Sequence, residues 1–106
     1  MGLTFKENCP DIRNSGVENI INELKKFKCE LSLSDPYANR EEIKKIYDIF
    51  PNSKLNENTY DAALILVAHD EFKTLGLNKI KKLCKTNHVI FDLKNLFKSN
   101  QVDLKL

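Results

Sequence analysis

Apolar segments that switch between strand period and helix period, in the order β-α-β-α-β-α-β, predict an α/β fold with a mostly parallel sheet and helices on both faces. Three observations carry this. Ala62 to Ala68 (AALILVA) is a short, uniformly apolar run bounded by Asp61 and His69-Asp70, as suits a central strand buried on both faces. Two amphipathic helical patterns precede it. Cys29 to Ser34 alternates strictly, as a strand covered on one face does.

Gly2 to Phe5 reads as a first, short strand. It starts so near the first residue that the chain is expected to be part of a longer protein. After Pro10, the residues Val17, Ile20, Ile21, Leu24 and Phe27 share one helical face, with Asn14 or Ser15 as cap and Glu18 in the first turn. Cys29–Ser34 is the second strand, stopped by Asp35-Pro36. Arg40 to Phe50 repeats the helical spacing through Ile43, Ile46, Tyr47 and Phe50, and Pro51 closes it. Ala62–Ala68 is the third strand. Lys79 to Cys84 carries Ile80, Leu83 and Cys84 on one helical face, Val89 to Leu93 is the fourth strand, and Lys94 to Phe97 opens a turn.

Right-handed crossovers then place the first and third strands side by side, with the half-polar second strand outside the first. The result is a Rossmann-like three-layer domain. Ligands bind such sheets beyond the carboxyl ends of the strands, where the connection direction reverses. Lys6, Arg13 and Lys94 converge on that rim, beside a helix N-terminus. They make a candidate anion site, most naturally for phosphate; the alternative is a set of ordinary solvated charges.

Composition narrows the functions. The 106 residues are 42% hydrophobic and 30% charged, which suits one domain. Lys and Arg number 17 against 15 Asp and Glu, a net charge of +2 with both signs interspersed, so no nucleic-acid partner is expected. No run approaches the roughly 18 apolar residues of a membrane helix, and no signal peptide is read. Cys9, Cys29 and Cys84 stand far apart without a CxxC pair or a Cys/His cluster. No metal site is expected, and the thiols are read as reduced, in a cytoplasmic protein. His69 has no oriented partner in the sequence and is read as capping a turn rather than as a general base; Cys9 is read as a packed thiol. Only three glycines occur, and neither GxGxxG nor a P-loop is present.

The stretch Gly2 to Ser15 (GLTFKENCPDIRNS) resembles the motif opening the C-terminal domain of UDP-glucose/GDP-mannose dehydrogenases. Its FKENCPD form is most like the branch that oxidises UDP-N-acetylhexosamines for capsular and O-antigen polysaccharides. Ser34-Asp35-Pro36-Tyr37, Val67 to Phe72 (VAHDEF) and Phe91 to Asn95 (FDLKN) resemble that domain's DP, AHxEF and FDxK segments, in the same order.

The resemblance implies an enzyme that uses NAD to oxidise a sugar C6 hydroxyl to a carboxylate in two hydride transfers. An N-terminal domain would hold NAD, a helical middle domain would support a homodimer or higher assembly, and the C-terminal domain would bind UDP. Phe5 and Lys6 match positions that contact the UDP-sugar. Arg13 matches the arginine reaching the NAD side of the cleft, and Lys94 stands where an arginine often contacts the substrate. Residues 1–106 would be that single UDP-sugar-binding domain, monomeric and inert alone, with no catalytic residue of its own. The competing reading is a stand-alone, non-catalytic α/β module that binds a nucleotide or a protein.

Overall fold

Ala63 and Ile65 pack to one side of the sheet and Leu64 and Leu66 to the other, and this period of two sorts the helices into two layers. The computed structural model describes residues 1–12, 16–52, 54–98 and 102–105. Its elements are α1 (Val17–Lys26), α2 (Arg40–Tyr47), β1 (Tyr60–Ile65), α3 (Asp70–Leu75), α4 (Leu77–Leu83), β2 (Cys84–Asp92) and β3 (Leu104–Lys105). On one side, Val17 and Ile21 of α1 and Ile43 and Tyr47 of α2 cluster with Leu3, Leu33, Leu66 and Val67. On the other, Phe72 of α3 and Ile80 of α4 cluster with Ile65, Cys84 and Ile90. This is the three-layer α/β arrangement the sequence predicts.

The sheet has the order β1-β2-β3, all parallel. Ala63 pairs with Ile90 and Leu64 with Phe91, while Phe91 and Asp92 pair with Leu104 and Lys105. The first two predicted strands form no ladder. Leu66 N–H donates to Met1 O at 2.9 Å, and Gly2 N–H donates to Ser34 O at 2.9 Å. The Met1–Leu3 stretch therefore lies between the end of the β1 run and the Leu33-Ser34 stretch, in the predicted order. Gly2 explains why a ladder does not propagate. Its φ of +92° departs from the pleat, and an added Cβ would stand 2.7 Å from Val67 N. The backbones approach too closely there for any side chain.

Several boundaries differ from the periodic reading. α1 ends at Lys26, so Phe27 is 77% exposed although its spacing continues the apolar stripe. The predicted caps Asn14 and Ser15 lie outside the described residues. α2 is capped by Asn39, whose side chain accepts from the amides of Glu41 and Glu42, and stops at Asp48 in the left-handed region (φ 59°). Phe50, beyond the helix, is exposed, Ile46 is exposed within its last turn, and Pro51 does not end the helix. The ladder of β1 runs from Tyr60, and Leu66 to Ala68 continue beyond it toward the rim. Cys84 opens β2 rather than closing a helix, and α3 is an additional helix, separated from α4 by Gly76 at φ 84°.

Candidate functional site

The rim of the sheet is assembled by one buried polar pair. Both side chains of Asp35 and His69 are fully buried, with Asp35 Oδ2 at 2.9 Å from His69 Nε2. Asp35 also accepts three backbone amides: Leu3 at 2.6 Å on Oδ2, and Tyr37 and Ala38 at 2.8 and 3.0 Å on Oδ1. A buried carboxylate is tolerated because donors surround it.

The imidazole has a defined tautomer. Asn8 N–H donates to His69 Nδ1 at 2.9 Å, so the ring's proton sits on Nε2, facing Asp35 and the Thr4 hydroxyl oxygen at 3.1 Å. Thr4 Oγ1 donates to Lys6 O at 2.9 Å. Tyr37 and Phe72 flank the ring, with centroids 4.8 and 5.4 Å away. The His69 side chain is fully buried, and contrary to the sequence reading it makes no side-chain cap at the start of α3. Its oriented partner Asp35 lies 34 residues away, a separation that sequence spacing does not reveal.

Tyr37 reaches over this cluster. Its hydroxyl donates to Glu71 Oε1 at 2.8 Å, and that carboxylate pushes its pKa up to about 12. Burial raises the Cys84 thiol, which suits a packed side chain rather than a nucleophile. Cys9 is half-buried, Cys29 is exposed, and all three cysteines are free.

Beside the pair, the structure brings Phe5, Lys6 and Lys94 together. They line one crevice of about 290 Å³ with Gly16 and Val17 at the start of α1, over an apolar floor of Leu66, Val67 and Leu93. Phe5 is 58% exposed, and both lysines point to solvent with no carboxylate partner among the described residues. Glu7 shares the rim and offsets part of their charge. The turn presenting Lys94 is fixed by Asp92, whose buried carboxylate accepts the Leu96 and Phe97 amides at 3.0 and 2.8 Å. Arg13 lies outside the described residues.

A larger depression of about 920 Å³ opens between the Ser34–Ala38 loop, the 51–57 loop and α3–α4. It contains none of the predicted site residues. The smaller crevice is the better candidate, because it lies where the parallel strands end beside a helix N-terminus and two unpaired cations.

The stretch after the first extended segment (Lys6 to Asp11) has no glycine, and the close approach at Gly2 is filled by Val67 of the same chain. Nothing here forms the glycine-rich cradle that a dinucleotide pyrophosphate needs. Among the described residues no group of side chains is placed to hold a metal, and no helix is long and apolar enough to cross a membrane.

A parallel α/β domain with a two-lysine crevice at its strand ends has the form of a nucleotide-binding module. Residues 1–99 match the UDP-glucose/GDP-mannose dehydrogenase family, UDP binding domain, and the chain belongs to that family. It is 40% identical over its whole length to the UDP-N-acetyl-D-glucosamine 6-dehydrogenase of Salmonella typhi and 42% identical to that of Pseudomonas aeruginosa. It spans 25% of each of these relatives. A derivative structure of the UDP-N-acetyl-mannosamine dehydrogenase Cap5O from S. aureus superposes with a TM-score of 0.70 at 29% identity, over 98% of this chain and 24% of that one. These relatives act on UDP-N-acetylhexosamines by name, in agreement with the resemblance of the FKENCPD segment.

Proposed function

We propose that this chain is the nucleotide-sugar-binding C-terminal domain of a cytoplasmic, NAD-dependent UDP-sugar 6-dehydrogenase. The enzyme would oxidise the C6 hydroxyl of a UDP-hexose or UDP-N-acetylhexosamine to the uronate for capsule or O-antigen polysaccharide. The observation that carries the reading is the gathering of Phe5, Lys6 and Lys94 around one crevice.

In this reading Lys6 and Lys94 neutralise the diphosphate, and the exposed Phe5 ring offers a face to the base or sugar. The start of α1 adds partial positive charge on the same side. Arg13 would face the cofactor. NAD itself, the reacting groups and the dimer-forming surface belong to parts of the enzyme outside these residues. The chain alone is then a monomer that binds UDP and produces no NADH.

Titrating UDP into the chain at fixed salt tests this. Lys6→Ala and Lys94→Ala should each lose a charge-assisted contact, roughly 1.5–3 kcal/mol, or about 10- to 150-fold in affinity. UDP binding that ignores both substitutions overturns the reading, and so does NADH formation by the chain alone.

A further inference from the structure

The Asp35–His69 pair does not line the crevice, yet it holds the loop that supplies Thr4, Phe5, Lys6 and Glu7 to it. The ring touches both ends of Thr4–Asn8: Nδ1 accepts the Asn8 amide at 2.9 Å, and Nε2 stands 3.1 Å from Thr4 Oγ1, which in turn donates to Lys6 O. Asn8 sits at φ 57°, a strained position for most residues. Its side chain is tied to the start of α3, where Oδ1 accepts the Asp70 amide at 3.0 Å and Nδ2 donates to Asp70 Oδ2 at 3.1 Å. Between these anchors the side chains of Phe5 and Lys6 are exposed, and the Phe5 amide has one further tie, to Asp11 O at 2.6 Å.

We propose that His69 is a positioning residue for the crevice: its neutral ring, held by Asp35, bolts the Thr4–Asn8 loop so that Phe5 and Lys6 are set before a nucleoside diphosphate arrives. The physical gain is preorganisation, since a loop already ordered loses less conformational freedom on binding. The proposal rests on the reading of this crevice as the UDP site. It requires the Nε2–H tautomer, because an imidazolium or an Nδ1–H ring has no lone pair for the Asn8 amide.

Two substitutions divide the ring's tasks. His69→Asn puts an amide oxygen near the place of Nδ1 and keeps an acceptor for Asn8. His69→Gln puts an amide nitrogen near the place of Nε2 and keeps the donor to Asp35. With UDP as the probe, His69→Gln should weaken binding roughly threefold to tenfold and speed exchange of the Asn8 amide. His69→Asn should stay within about twofold of wild type and keep that amide protected. The reverse ranking, or equal behaviour of the two variants, overturns the proposal.

If wild type itself does not bind UDP, the functional reading fails, and the Asn8 exchange rates in the two variants still decide whether His69 holds the loop. Should both variants unfold, the nitrogen chemical shifts of the His69 ring in wild type decide. A bare Nδ1 beside a protonated Nε2 supports the proposal, and any other protonation state overturns it.

Discussion

Asp35 Oδ2 lies 2.9 Å from His69 Nε2 with both side chains sealed from solvent, and the same oxygen accepts the Leu3 amide at 2.6 Å. One carboxylate thus ties together the first extended segment, the loop after the second and the end of the β1 run. The turn around Tyr37 and Ala38 depends on it as well, through Oδ1.

Asp35→Ala should therefore destabilise the chain strongly. It strands the Leu3, Tyr37 and Ala38 amides without an acceptor and leaves His69 Nε2–H only the Thr4 hydroxyl oxygen, and breaking a buried pair in this way costs about 3–5 kcal/mol. Asp35→Asn should cost less but still register, because its amide group meets a donor with a donor. Urea denaturation followed by circular dichroism measures both. A loss below about 1 kcal/mol for Asp35→Ala would mean that the pair is not organising the rim.

Gly2→Ala tests the close approach of backbones. The new Cβ would stand 2.7 Å from Val67 N and 2.8 Å from Val67 Cβ, at a φ of +92° that alanine avoids. Neither neighbour is the far end of a flexible side chain, so backbone must move. The expected cost is on the order of 1–3 kcal/mol. Gly16→Ala is the control, since nothing lies within 4 Å of an added Cβ there. Equal melting temperatures for the two variants would contradict the geometry.

Tyr37 makes a prediction in alkaline solution. Its pKa is raised from 10.0 to about 12, chiefly by the hydrogen bond to Glu71. A raised folded-state value means that the contact favours the folded chain below pH 10 and is lost as pH rises through about 12. Phenolate absorbance followed against pH should show Tyr37 ionising late. Glu71→Gln, which removes the charge but leaves an acceptor, should bring that step toward lower pH. Ionisation of Tyr37 at the ordinary value in the wild-type chain would show that the Tyr37–Glu71 bond is not formed.

Much of the architecture could be read from residue order because it rests on local period. Ala62 to Ala68 is apolar throughout and stands between two helix layers, with Ala63 and Ile65 serving one face and Leu64 and Leu66 the other, while Val67, past the ladder, joins the Leu64 side. The helical spacing of Val17 to Leu24 and of Ile43 to Tyr47 likewise marks the faces that are buried. The rim residues Phe5, Lys6 and Lys94 were legible by a different route, as parts of motifs placed at the ends of strands. Topology alone then makes them neighbours.

Other features follow no local rule. Phe27 and Phe50 continue apolar stripes past the ends of their helices, where left-handed residues Lys28 and Asp48 turn the chain away, and Ile46 is exposed within α2 itself. Gly2–Phe5 and Cys29–Ser34 have strand patterns but no ladder, because ladder formation depends on how a partner backbone approaches. α3, only six residues long, is too short to show a helical period, and its start is held by Asn8 from far along the chain. The amino-acid sequence by itself determined the α/β class, the apolar run at the centre of the fold and the core faces of α1 and α2, since each depends on spacing within one segment. Only the tertiary structure decided that His69 meets Asp35 and the Asn8 amide, because hydrogen bonds between segments depend on where folding brings the donors and acceptors.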